Sequence, residues 1–134
     1  MLKYLERHKV ALVYIPFIIY WIALLAATSF PVNYIPTTGV SDKFEHLFAY
    51  FGLAILLNLT LMFQSRNSLF KSKAVMFTII FSSVYGIMDE VHQLLIPGRS
   101  CELLDLTADL IGIILGVITV SLLVKLDNYR LEEI

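Results

Sequence analysis

The sequence predicts an all-α, polytopic integral membrane protein, a four-helix transmembrane bundle formed as a single domain over residues 1–134. Three observations predict it. Of the 134 residues, 58% are hydrophobic and 16% charged, against roughly 45–50% apolar and about 25% charged in an ordinary soluble domain. Four apolar stretches, at about 10–28, 44–63, 74–96 and 104–124, stand clear once the charged residues are marked. Lys and Arg gather in alternate connections between them. A spanning helix needs about 20 apolar residues, so four of them consume about 80 positions and leave no room for a separate soluble catalytic domain. The net charge of -1 removes the electrostatic footprint of a nucleic-acid binder. A single cysteine, Cys101, excludes an intrachain disulfide framework.

The first span runs from Val10 to Ala27 without a charge, with Tyr20 and Trp21 lending aromatic character. A cleaved signal peptide is the competing reading, because Lys3, Arg7 and Lys9 form a basic n-region and Ala26-Ala27-Thr28 is loosely cleavage-like. The apolar stretch exceeds the usual length of such a segment, and three more spans follow it. Pro16 reads as a kink or a helix start. Pro31, Pro36 and Gly39 punctuate the first connection, Gln64-Ser65-Arg66-Asn67-Ser68 the second and Pro97-Gly98 the third. Asp42 with Glu45 reads as a capping-box variant, and Ser100 as an N-cap for the fourth helix.

Positive charge marks the cytoplasmic side. Lys3, Arg7 and Lys9, then Arg66, Lys71 and Lys73, then Lys125 and Arg130 fall on one side; Lys43 and Arg99 alone fall on the other. Both termini are therefore expected in the cytoplasm, with the first and third loops outside. Seven acids, Asp42, Glu45, Asp89, Glu90, Glu102, Asp105 and Asp109, then reach the outer level. Near-neutrality hides two opposed fields.

At 1.5 Å per residue, Asp89 is expected about 10 Å inward from a helix end near Ile96, and His46 and Asp109 about 6 Å inward from Asp42 and Asp105. These depths suit one shared polar pocket. Ionisable groups within a span are costly and mark function by default. Asp89 shares a helical face with His92 and Gln93, Asp105 with Asp109, and His46 with Tyr50; Gly86 on the face of Asp89 permits close approach. The plain alternatives are that Asp42, Glu45, Glu102 and Asp105 are solvated or capping acids, and that Asp89, Asp109, His46 and His92 are members of a structural hydrogen-bond network. Gly112 and Gly116 form a GxxxG pattern, which packs helices within the chain or between copies in a homo-oligomer. Cys101 has no activating base nearby in sequence.

These residues resemble the VanZ-like membrane proteins. The matching stretches are Ser41-Asp42-Lys43 with His46 and Tyr50, Tyr85-Gly86-Ile87-Met88-Asp89-Glu90-Val91-His92-Gln93, Ile96-Pro97-Gly98-Arg99-Ser100, and Asp105-Leu106 with Ala108-Asp109 and Gly112. Any one piece is weak; the ordered series is specific. The resemblance implies a bacterial inner-membrane protein of about four or five helices, associated with resistance to glycopeptide antibiotics and teicoplanin in particular. It supplies no settled reaction.

The residues themselves suggest a site that acts on or binds the polar part of an envelope lipid, a lipid-linked precursor or a lipoglycopeptide. Asp89, Glu90 and Asp109 are candidate acids and bases with His46 and His92 as partners. Arg99 is placed to hold a phosphate or carboxylate, with Asp42, Lys43, Tyr50, Gln93 and Asp105 as further binding residues. A divalent metal, zinc or manganese, held by Asp89, His92, His46 and Asp109 is a less favoured reading, because carboxylates and histidines also make ion-pair networks. A non-catalytic binding protein, small transporter or proton-relay subunit is the alternative from another class. A relay needs a polar path to the inner side, where only Asn58, Thr60, Thr78, Ser82, Thr119 and Ser121 precede Lys125.

Overall fold

The computed structural model describes residues 1–31 and 41–132, with side chains to Asp127. Six α-helices occur in this range: α1 (Leu2–Arg7), α2 (Ile15–Ser29), α3 (Asp42–Phe63), α4 (Ser68–Ser72), α5 (Ala74–Gln93) and α6 (Leu103–Glu132). A π-helical turn, Val10–Tyr14, feeds directly into α2. Pro16 sits in the first turn of α2, just after the π-helical turn; it has no N–H to give the preceding turn, and the ladder changes from π to α at this point. Val10–Ser29, Asp42–Phe63, Ala74–Gln93 and Leu103–Asp127 are long and apolar enough to cross a membrane. The architecture is an all-α, multi-pass bundle; Pro36 and Gly39 lie outside the described residues.

The inward face of α5 is not what a soluble core would choose. The buried stripe of α5 is Ala74, Thr78, Ser82, Gly86, Asp89, Glu90 and Gln93, whereas Ile80, Val84, Ile87, Met88 and Val91 point outward. In a bilayer the lipid is as apolar as leucine, so large side chains gain nothing by turning inward and small or polar ones close the helix contacts. Asn58 and Thr78, both fully buried, join α3 to α5 by an Nδ2–H donated to Oγ1 over 3.1 Å.

The α3–α6 pairing is the most extensive in the bundle, and the GxxxG pattern explains it. A Cβ on Gly112 would run into the backbone carbonyl of Leu47 and lie 2.9 Å from Phe51 N; one on Gly116 would lie 2.7 Å from Ala54 Cβ and 2.8 Å from Phe51 O. This face is filled by α3 of the same chain. It is therefore not free to form the homo-oligomer contact that the motif left open.

Of the four spans the first packs least closely: no residue of α2 is fully buried, and Tyr20 anchors it by donating its hydroxyl to Ala49 O over 2.9 Å. At the end of the bundle that holds the N-terminus, the amino group meets Asp127 Oδ1 at 2.8 Å and Lys9 Nζ donates to Phe63 O at 2.6 Å. Asn67 caps the short α4 by accepting from Leu69 N and Phe70 N.

Three local expectations need correction. Ser41 holds the N-cap position of α3 without a side-chain cap bond, so Asp42 and Glu45 lie in the first turn and make no capping box. Ser100 does not cap α6; its hydroxyl donates to Glu102 Oε1, and Glu102 O accepts from Asp105 N at the helix start. The third span ends at Gln93 and not near Ile96, because Leu95 and Ile96 tighten into three-residue turns onto His92 O and Gln93 O.

Candidate functional site

The polar end of the bundle is built by four elements. α3 brings Asp42, Lys43, Glu45, His46 and Tyr50; α5 brings Asp89, Glu90 and Gln93; α6 brings Asp105 and Asp109; the 94–102 connection brings Arg99 and Glu102. With α5 ending at Gln93, Asp89 lies about 6 Å inward, level with His46 four residues after Asp42, while Asp109 lies about 9 Å from the start of α6. Each of the three thus stands about 6–9 Å inside the end of its own helix, with Asp89 shallower than a helix running to Ile96 would place it.

The 94–102 connection places its arginine through its backbone. Gly98 has φ 82° and Arg99 N donates to Ile96 O over 3.1 Å, a type II turn with Pro97 at the position that wants its fixed φ and glycine where φ must be positive. The turn aims Arg99 back at α2, where Nη2 donates to Ala27 O over 3.0 Å while Nε is buried without a partner.

His46 sits at the centre of the cluster, 7% exposed. Its Nδ1 lies 2.9 Å from Asp109 Oδ1 and 4.0 Å from Glu90 Oε1, and its Nε2 lies 4.0 Å from Asp42 Oδ1. Glu90 is 1% exposed, and its Oε2 accepts from Glu102 N at 2.9 Å, which ties the loop to α5. Lys43 Nζ bridges Glu102 Oε2 at 2.6 Å and Asp105 Oδ1 at 3.0 Å. That ammonium holds the Glu102 carboxyl below the usual carboxylate range.

Asp89 is buried beside this group, not within it. Its Oδ2 accepts a long bond, 3.4 Å, from Gln93 Nε2, and its Oδ1 has no partner. Gly86 makes room for the approach of α6 and α3: a Cβ there would meet Asp109 Oδ2 at 3.2 Å and the Tyr50 ring at 3.3 Å. The Tyr50 hydroxyl is itself buried and unpaired.

The expected ligand set of Asp89, His92, His46 and Asp109 is not gathered. The groups that come together are His46, Glu90 and Asp109, and, sharing His46, Asp42 and Asp105. Successive helical residues turn by about 100°, so His92 lies about 200° round α5 from Glu90, the residue that faces His46. It is half-buried, with no partner at Nδ1. Cys101 is an exposed free thiol, pushed up by desolvation and by the neighbouring Glu90 carboxylate.

Between α2, α3, α5 and the Pro97-Gly98 turn lies a partly open cavity of about 130 Å³. Leu24, Ala27 and Ala49 form its apolar side, and Glu45, His46, Asp89 and Arg99 its polar side. The contribution of α2 was not foreseen, and neither was Glu102 as the partner of both Lys43 and Glu90. The type II turn was visible as Pro97-Gly98, but its direction across to α2 carried no local signal.

The helices and this end-on cluster define a multi-pass membrane protein with a buried carboxylate–histidine centre at one end of its bundle. The chain belongs to the VanZ/LLP1 family, whose sequence profile matches residues 9–124. No curated protein and no solved structure matches the chain.

Proposed function

We propose that this chain binds the polar part of an envelope lipid, a lipid-linked precursor or a lipoglycopeptide such as teicoplanin at the outer face of a bacterial inner membrane. The observation that carries this is the two-sided cavity, where an apolar wall from α2 adjoins Asp89 and Arg99, each of which holds a buried polar atom, Oδ1 and Nε, without a hydrogen-bond partner. A buried polar atom without a partner costs about 1–3 kcal/mol. A ligand offering a donor to Asp89 and an acceptor oxygen to Arg99 removes both costs at once. Acids outnumber bases around the cavity, so the recognised group is rich in hydroxyl or amino donors and presents a single anionic oxygen to Arg99. Antibiotic protection then follows from occupancy of the surface target or of the lipid-anchored drug.

The orientation follows from the distribution of Lys and Arg, with both termini in the cytoplasm and the site outside. Reporter fusions at Ser68 and Ser100 are expected on opposite sides of the membrane. A proton relay is less well supported: α5 continues its polar stripe through Ser82 and Thr78 to Asn58, none of which ionises.

The test compares wild type with Asp89→Asn, reading lipids retained on purification by mass spectrometry and teicoplanin susceptibility in cells. Loss of the retained lipid and of protection at normal expression is the expected result. Full protection at normal expression would remove the functional reading; loss of expression alone would leave Asp89 a structural residue.

A further inference from the structure

We propose that His46, Glu90 and Asp109 together bind one divalent transition cation, Mn²⁺ or Zn²⁺, which fastens α3, α5 and α6 at the outer end of the bundle. The inference deepens the reading of the same site, but it requires no lipid.

The geometry brings one imidazole and two carboxylates to a common centre. The three candidate ligand atoms lie within 4.8 Å of one another. Nitrogen and oxygen ligands at about 2.1 Å from a cation stand roughly 2.9–4.2 Å apart, from adjacent to opposite positions. His46 Nδ1 lies 2.9 Å from Asp109 Oδ1 and 4.0 Å from Glu90 Oε1, both within that range. One imidazole with two carboxylates is a donor set suited to manganese or zinc.

A second observation points the same way. Glu90 Oε1 and Asp109 Oδ2 are buried and accept no hydrogen bond, although both residues are at most 2% exposed. Four carboxylates are buried here, those of Asp89, Glu90, Asp105 and Asp109. Of the cations nearby, Lys43 pairs with Glu102 and Asp105 and Arg99 donates to Ala27 O; among the described residues neither is paired with Glu90 or Asp109. Such groups persist in a span when they are paired, protonated or bound to metal, and a metal satisfies two facing carboxyls at once. Glu90 is also held from behind: the Glu102 amide fixes Oε2 at 2.9 Å and leaves Oε1 for the centre, the outer hydrogen bond that orients a metal-binding carboxylate. The overlapping group of Asp42, His46 and Asp105 is weaker, because Asp42 is exposed and Asp105 is already paired with Lys43.

The experiment is metal analysis of the full chain purified in detergent, after exposure to Mn²⁺ or Zn²⁺ and removal of the excess. About one equivalent per chain is expected for wild type, lost in Glu90→Gln and Asp109→Asn and kept in Asp42→Asn. X-ray absorption on the loaded wild type, which needs no variant to fold, should show a nitrogen and oxygen environment with one imidazole and no sulfur. Failure of wild type to retain either metal, a sulfur ligand, or loss in Asp42→Asn with retention in Glu90→Gln would each overturn the proposal. In the first case His46 and Asp109 are simply hydrogen-bonded. Asp89→Asn, which tests lipid binding, should keep its metal, so the two readings fail separately.

Discussion

Replacing Gly112 by alanine inserts one methyl group where α6 crosses α3. That methyl meets the Leu47 carbonyl and stands 2.9 Å from Phe51 N, whereas unstrained heavy atoms sit about 3.5–4.0 Å apart. The obstructing atoms are backbone, so no side chain can swing aside, and the helices must separate by roughly 1 Å near the collision. Overpacking of a filled contact costs typically about 1–3 kcal/mol, and a rigid neighbour on both sides places Gly112→Ala at about 3 kcal/mol. Gly52→Ala is the comparison: its Cβ would meet the Tyr20 hydroxyl at 2.5 Å, the mobile end of a side chain. Its cost is the bond from Tyr20 to Ala49 O, about 1 kcal/mol. Reversible unfolding in mixed detergent micelles measures both. A Gly112→Ala variant within about 0.5 kcal/mol of wild type, the range of an uninvolved surface position, would refute the packing argument. So would a variant that dissolves a dimer and leaves the monomer's stability unchanged. Because Asp109 precedes Gly112 by one turn and His46 adjoins Leu47, the same separation should open the 2.9 Å His46–Asp109 contact.

Three further outcomes follow. Cys101 is exposed, but its thiol is held up by desolvation and by Glu90, so it carries less thiolate at neutral pH than an ordinary cysteine; Glu90→Gln should speed its alkylation by maleimide, and an unchanged or slower rate would exclude that coupling. Lys43 depresses the Glu102 carboxyl, so their bridge contributes stability above the ordinary glutamate value of about 4.3 and loses it as pH falls through the lower folded value; the stability difference between wild type and Glu102→Gln should shrink in acid, and growth there would contradict the assignment. Asn58→Ala removes the buried bond to Thr78 and should cost about 0.6–1.7 kcal/mol in micelle unfolding, from the mean to the largest value for such contacts between membrane helices; a stabilised variant would show that the pair is not formed.

The sequence shows the spans and the level of the site for one physical reason: hydropathy and the Lys and Arg distribution are local sums, and alternate crossings must return the ends of α3, α5 and α6 to one side. It does not show which of two adjacent acids on α5 meets His46. Asp89 and Glu90 are both buried and differ by about 100° around the helix, so periodicity admits either, and pairing Asp89 with His92 by spacing alone selected the wrong edge. The choice is made by where α3 and α6 lie, and that depends on residues without functional groups. Gly112 and Gly116 bring α6 against the α3 backbone, and Gly86 leaves the space that Asp109 Oδ2 occupies, 3.2 Å from where a Cβ would stand. The glycines and the ionisable residues are thus parts of one arrangement. Glu90 of α5 and Asp109 of α6 reach a single imidazole because glycines leave no side chain to hold the helices apart where they cross.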